Sequence, residues 1–200
     1  MQQDADKCKE MIIDFKRNNH VRNPIVVNGK ELSVVESVKI LGLTVSSNLL
    51  WNNHVIEAIK KSNKRIFFLV LLKRAGVPLE DIIIFYCTTI RPVLEYCSPV
   101  FHHASPQYLS DDIERVQKRA LSKISPGQRY EATLNRFSLT TLKSRRLELC
   151  KKLFNTISSP SHELSSLLPP SHQTEYNLRQ CRLYNVPRIC TERFKRSFIP

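Results

Sequence analysis

The sequence predicts an α+β fold that is mostly α-helical, with a small antiparallel sheet at the N-terminus followed by a bundle of about four helices. Three observations predict this class. Short apolar runs with a hairpin signal fill residues 7–46, apolar residues then recur at helical spacing, and a Ser/Pro-rich stretch follows. We therefore divide the chain into β hairpins over 1–50, a helical bundle over 51–157, and a linker with an extended basic arm over 158–200.

The N-terminal segment carries two turn signals. Asn28-Gly29 is the dipeptide most typical of a two-residue hairpin, because both central residues of a type I′ turn need positive φ. A later alternating run breaks at Gly42, which indicates a bend or a close backbone approach. We predict three or four antiparallel strands, the first within residues 8–15, and a sheet of this size needs a neighbour to cover it.

The first two helices are predicted from apolar spacing and from helix breakers. Apolar residues recur on one face over 55–70, and Gly76 and then Pro78 end the first helix. The second helix is nearly all apolar through Leu94. We therefore expect it to be the central buried helix, kinked at Pro92.

The third helix is predicted to begin near Ser110 and to end at Pro126-Gly127. Asp111 and Glu114 have the spacing of a capping box at its start. Its predicted inward face comprises Ile113, Val116, Ala120, Leu121 and Ile124.

An irregular link is predicted over 129–138, and a fourth helix follows Thr140-Thr141. The inward residues of this helix are predicted to be Leu142, Leu149, Leu153 and Ile157. Its outward residues are predicted to be Lys143, Arg145, Arg146, Lys151 and Lys152.

The charge of the chain is one-sided. It has 31 Lys and Arg against 18 Asp and Glu, a net charge of +13, which favours polyanions as partners. Between Arg115 and Lys152 the only acidic residues are Glu131 and Glu148. We predict phosphate contacts from Lys60, Lys61, Lys64, Arg65, Arg115, Lys118, Arg119, Lys123, Arg145 and Arg146. The alternative is a non-enzymatic helical scaffold whose cations are only a solvated surface.

Catalytic motifs are missing from the sequence. With four glycines it has no phosphate loop, and no paired aspartates follow a strand. Its six cysteines are scattered without a zinc spacing, and the adjacent His102 and His103 favour loop positions over metal ligation. We expect no enzymatic activity, no cofactor and no small-molecule substrate. No apolar run is long enough for a membrane span and no secretory signal is evident, so we expect a nuclear or cytoplasmic protein with reduced thiols.

Several segments resemble, in the same order, the end of a LINE-type (non-LTR) retrotransposon reverse transcriptase, an RNA-directed DNA polymerase. They include Pro-Ile-Val-Val-Asn-Gly at 24–29, Val-Lys-Ile-Leu-Gly-Leu-Thr-Val at 38–45, Phe-Tyr-Cys-Thr-Thr-Ile-Arg-Pro-Val-Leu-Glu-Tyr-Cys-Ser-Pro-Val-Phe at 85–101, and Ile-Glu-Arg-Val-Gln-Lys-Arg-Ala-Leu at 113–121. Each segment alone is a weak signal, and the collinear series is a strong one. The resemblance implies the palm end, over 1–50, followed by a thumb-like bundle.

The resemblance also implies roles for particular residues. Lys7 matches the palm-motif lysine, and Lys39, Leu41 and Gly42 fall on the primer-grip hairpin. The thumb would close on the backbone of an RNA/DNA template–primer. The family's catalytic Tyr-x-Asp-Asp turn would lie before Met1. We therefore expect at most nonspecific binding, because the Mg²⁺ pair of the parent family needs those carboxylates.

Two further expectations concern the N-terminal segment. Without the rest of a palm, it should expose apolar side chains such as Ile12 and Val27. Residues 7–46 also resemble a segment at the N-terminus of AlkB-homologue tRNA-modifying enzymes, which gives an oxygenase or methyltransferase as an alternative. The His-x-Asp…His iron set of that oxygenase family is missing from this sequence.

Overall fold

The computed structural model describes residues 8–15, 23–170, 184–185 and 188. It confirms the α+β, mostly α-helical class. The chain divides into two compact units, Met1–Ala58 and Ile59–Pro200. Lys7 and most of the predicted basic arm lie outside the described residues.

The strands form three separate two-stranded ladders. Their pairs are β1 (Lys9–Glu10) with β4 (Ser33–Val34), β2 (Val26–Val27) with β3 (Lys30–Glu31), and β5 (Ser37–Ile40) with β6 (Leu43–Ser46). The first pair is parallel and the other two are antiparallel. The prediction of one antiparallel sheet is therefore wrong, and only two residues of the run 8–15 form a strand. Local sequence favours extended backbone, but strand pairing depends on residues far apart in the chain.

Both antiparallel pairs are closed by two-residue turns. Asn28 and Gly29 have φ of 53° and 79°, and Leu41 and Gly42 have φ of 48° and 85°. Positive φ at both positions is the type I′ arrangement, whose twist matches that of paired strands. The predicted Asn28-Gly29 hairpin is confirmed, and the break at Gly42 is a second hairpin.

The first unit exposes apolar side chains, as expected, although the named positions differ. Ile12 and Val27 are half-buried, whereas the adjacent Ile13 and Val26 are exposed. A strand alternates its side chains between two faces, so neighbouring residues in extended chain differ in burial.

The helices begin and end close to the breakers in the sequence. They are α1 (Asn52–Arg74), α2 (Leu79–Phe85), α3 (Arg91–Glu95), α4 (Ser98–Phe101), α5 (Gln107–Ile124), α6 (Tyr130–Arg136) and α7 (Leu142–Ile157). A π-helical segment, Tyr86–Ile90, joins α2 to α3, and a 3₁₀ helix covers Glu163–Leu167.

The predicted central helix is buried on one face but is not continuous. Ile82, Tyr86, Ile90 and Leu94, four residues apart, are at most 1% exposed. The π segment ends two residues before Pro92, whose ring would clash with the carbonyl four residues earlier in a regular α-helix. In place of the predicted kink, the helix therefore has one π-helical segment, in which each turn contains more residues than in an α-helix.

Helix α5 begins earlier than predicted, and its capping box is wrong. Its N-cap is Pro106, with no side-chain cap. Glu114 instead accepts hydrogen bonds from the Tyr130 hydroxyl and, at 3.2 Å, from the Lys143 backbone N–H. All five predicted inward residues are buried, as predicted.

The region 129–138, predicted as an irregular link, contains helix α6. Thr133 and Leu134 are buried on it, and the helix stops before Ser138, where φ is positive. Because only these two adjacent residues of α6 are buried, its sequence shows no helical repeat of apolar residues. Helix α7 begins where predicted, and the Thr141 side chain accepts from the Ser144 N–H at 3.2 Å as its N-cap.

A buried amide joins three parts of the helical unit. The Tyr86 hydroxyl donates to Gln117 Oε1 at 2.9 Å, and Gln117 Nε2 donates to the Thr140 carbonyl at 3.0 Å. Tyr86 and Gln117 are at most 1% exposed, and burial raises the pKa of the Tyr86 hydroxyl. The π segment, α5 and the turn before α7 are thus tied at one point.

Replacing the Gln117 amide should destabilise the helical unit more than removing the Tyr86 hydroxyl. Gln117→Leu leaves a buried hydroxyl donor and a carbonyl unpaired, so we expect a loss of about 2–3 kcal/mol in the free energy of unfolding. Tyr86→Phe should cost about 1 kcal/mol. Urea titration of both variants and of the double variant measures this, with the exposed Gln128→Leu as control. A coupling energy of zero between positions 86 and 117 would contradict the network.

Candidate nucleic-acid interface

Exposed cations of α1 and α5 lie beside one another. Arg119 Nη1 on α5 donates to Asn63 Oδ1 on α1 at 3.2 Å. On α1, Lys60 and Lys64 fall within one turn of Asn63, and on α5 Lys123 is one turn beyond Arg119. All four of these cations are exposed. We call Lys60, Lys64, Arg119 and Lys123 the α1–α5 basic surface.

The C-terminal ends of the two helices are held together by Lys73. Its ammonium donates to the backbone carbonyls of Lys123 at 2.7 Å and Ile124 at 2.8 Å. These carbonyls belong to the last turn of α5, where the helix dipole favours a cation. Lys73 therefore holds the end of α1 against the end of α5 that carries Lys123.

Three other predicted phosphate contacts have partners within the protein. Arg115 forms an exposed ion pair with Asp112, a contact that stabilises little in water. The Lys118 ammonium lies 5.2 Å from the centre of the Tyr130 ring. Arg65 is half-buried and donates to the Thr89 carbonyl in the π segment. Lys61, on the same side of α1 as Arg65, is exposed.

Arg145 does not face outward as predicted. It is half-buried and binds both carboxylate oxygens of Glu95, with Nη2 to Oε2 at 3.2 Å. The hydrogen bond to Glu95 raises the pKa of Arg145. Arg91 approaches the same carboxylate at 4.0 Å. Arg145 therefore joins α7 to α3.

Arg146 is also predicted on the outside, and it is 1% exposed. Nη2 donates to Ser110 Oγ at 2.7 Å, while Nη1 has no hydrogen-bond partner in the part of the chain that the structure describes. Burial lowers its pKa. Leu142 and Cys150, four residues before and after, are buried on the same face of α7. That spacing was a signal in the sequence for an inward Arg146.

The primer-grip-like residues lie on the second hairpin of the first unit. Lys39 Nζ is 3.0 Å from Glu57 Oε2 in an exposed ion pair. Leu41 and Gly42 form the hairpin turn, and Leu41 is 87% exposed. Lys39, Leu41 and Gly42 therefore belong to one hairpin.

Within the described residues, no group of three or more His, Cys, Asp or Glu side chains could hold a metal ion. In the same part of the chain, the helices are too short or too polar to cross a membrane. Cys8, Cys87, Cys97 and Cys150 are free thiols, and burial raises the pKa of Cys150. No protein-family model, curated protein or solved structure matches the chain.

The burial of Arg146 leads to a stability prediction. Met fills much of the same volume without a charge, so we expect Arg146→Met to unfold at a denaturant concentration equal to or above that of the parent protein. Arg146→Ala leaves a cavity and should lose about 2–3 kcal/mol. Guanidinium titration measures both. A Met variant as unstable as the Ala variant would show that the Ser110 contact, and not volume, stabilises this position.

His102 should make folding sensitive to acid. Burial, followed by the positive charges of Arg146, His103 and Lys143, lowers its pKa from 6.5 to about 4. Between these two values the unfolded chain binds a proton that the folded chain does not, so stability is lost as pH falls through this window.

The measurement is the unfolding free energy at several pH values from 7 to 4. His102→Gln should flatten the decline, because Gln does not titrate. His103→Gln changes the adjacent ring 5.0 Å away and removes one of the lesser charges that act on His102. It should leave most of the decline in place, because burial is the larger cause of the lowered pKa. Equal slopes for the parent and His102→Gln proteins would contradict the prediction.

Proposed function

We propose that this chain binds the phosphate backbone of a nucleic acid, without reading its sequence, through the α1–α5 basic surface. The observation that carries the proposal is the Arg119–Asn63 hydrogen bond, which joins the exposed cations of two helices into one surface. Phosphate contacts of this kind fix position and add affinity without base discrimination. The net charge of +13 adds a long-range attraction to polyanions.

The two cation types would contribute differently. Lys60 and Lys64 carry compact ammonium groups on flexible stems, which follow a backbone of variable geometry. Arg119 is oriented by Asn63, so its guanidinium is held in place before a phosphate arrives. Binding releases counterions from the nucleic acid, and affinity therefore falls steeply with salt.

Within this proposal, the chain is a thumb-like part of a LINE-type reverse transcriptase that grips an RNA/DNA template–primer. Support comes from the collinear resemblance, the mostly helical fold, and the hairpin turn at Leu41 and Gly42. The exposed cations lie on helices that the resemblance assigns to the thumb.

A second candidate is a basic helical scaffold with no nucleic-acid role. It is favoured by the cations that serve the fold itself. Arg145 binds Glu95, Arg146 is buried beside Ser110, and Lys73 caps α5. For these residues positive charge stabilises structure and needs no external partner. The two candidates differ in what the remaining exposed lysines do.

Paired lysine substitutions separate the candidates. Lys60→Gln/Lys64→Gln removes two charges from the α1–α5 basic surface. Lys151→Gln/Lys152→Gln removes two exposed charges from α7 and is the matched control. Affinity for a fluorescent RNA/DNA hybrid is measured by anisotropy between about 50 and 300 mM salt, a roughly sixfold range that includes physiological ionic strength.

We expect the α1 variant to bind more weakly and to have a shallower log–log salt dependence, by about 0.9 for each lost phosphate contact. The α7 variant should retain most of the parent slope. A parent protein whose affinity does not change with salt would exclude phosphate neutralisation. Equal slopes in the two variants would place binding outside the α1–α5 basic surface.

A further inference from the structure

Two adjacent aromatic side chains of α1 are exposed. Phe67 is 60% and Phe68 is 55% exposed, and their ring centres are 5.8 Å apart in an edge-on arrangement. Leaving two phenyl rings in water forfeits roughly 25 cal/mol for each Å² of apolar surface.

Cations lie one helical turn before these rings. Lys64 precedes Phe67 by three residues and Phe68 by four, and Arg65 precedes Phe68 by three. Residues three and four apart are neighbours on a helix surface. Lys61 lies a further turn away on the same side as Phe68. The exposed rings therefore interleave with positive charge.

A groove of about 840 Å³ adjoins Phe68, between α1 and the α2–π region. Phe68, Leu72 and Phe85 give it apolar walls. Arg65, Thr88 and Thr89 line it with polar groups. The Arg65 guanidinium donates to the Thr89 carbonyl, which holds this side of the groove to α1. A flat, partly polar group such as a nucleobase has the chemistry that such a groove accommodates.

We propose that Phe67 and Phe68 stack with unpaired bases of a single-stranded nucleic acid, whose phosphates contact Lys61 and Lys64. This inference rests on the proposed phosphate binding and adds a preference for single strands. Base faces are accessible in a single strand and covered in a duplex, whereas both forms carry phosphates. The positive flanks complement phosphates and oppose a second copy of this chain, which carries the same +13 charge.

The test compares one oligonucleotide sequence as a single strand and as a duplex. Phe67→Ala/Phe68→Ala removes both rings, and Phe67→Leu/Phe68→Leu keeps apolar bulk without an aromatic face. Tyr108→Ala, at an exposed aromatic of α5, is the matched control. Anisotropy gives the affinities, 2-aminopurine fluorescence in the single strand reports stacking, and circular dichroism verifies that each variant is folded.

We expect both Phe double variants to lose roughly tenfold in single-strand affinity, and to lose the 2-aminopurine response, while duplex affinity stays within about twofold. The Tyr108 variant should behave as the parent. Unchanged single-strand binding in the Ala variant would overturn stacking while leaving phosphate binding intact. Full binding by the Leu variant would point to apolar docking, as for a protein helix, and would also overturn it. Failure of the parent to bind the duplex would instead refute the phosphate surface.

Discussion

The helical unit depends on one buried amide. Gln117 must satisfy both its carbonyl and its NH₂ group away from water, and it does so with Tyr86 on one side and the Thr140 carbonyl on the other. This requirement fixes the rotation of α5 about its axis. Arg115 and Arg119 lie two residues before and after Gln117, about 200° around the helix, so the amide that is held inward holds these guanidiniums outward.

Positive charge has two separate uses in this chain. Arg145 and Lys73 contact a carboxylate and the terminal carbonyls of a helix, so they stabilise the fold by local pairing. Arg146 is buried with one hydrogen bond to Ser110, which is a costly position for a charge. Lys60 and Lys64 are exposed and add repulsion to an already basic molecule. Net charge alone therefore overstates the number of cations that a polyanion can contact. Only the cations that are exposed are available to it.

Sequence patterns predicted what depends on neighbours along the chain. The Asn28-Gly29 turn, the start of α7 after Thr140-Thr141 and the buried face of α5 each follow from local rules, and the structure has them. The parallel pairing of β1 with β4 depends on distant contacts and was not predictable from alternation. The Asp111 capping box failed because Pro106 starts α5 a turn earlier. The charge of Arg146 predicts an outward side chain, whereas its spacing of four residues from the buried Leu142 and Cys150 predicts the inward position that the structure shows.

Helix α1 combines two features that are unfavourable separately. A helix shaped only by packing would place its phenyl rings at buried positions such as those of Ile66 and Leu69, yet Phe67 and Phe68 face solvent. A helix shaped only by solubility would not combine exposed rings with clustered lysines. A single-stranded nucleic acid has a charged backbone and flat apolar base faces at short intervals. Its chemistry complements both features in one turn of α1, whereas a duplex complements only the lysines and an apolar protein surface only the rings.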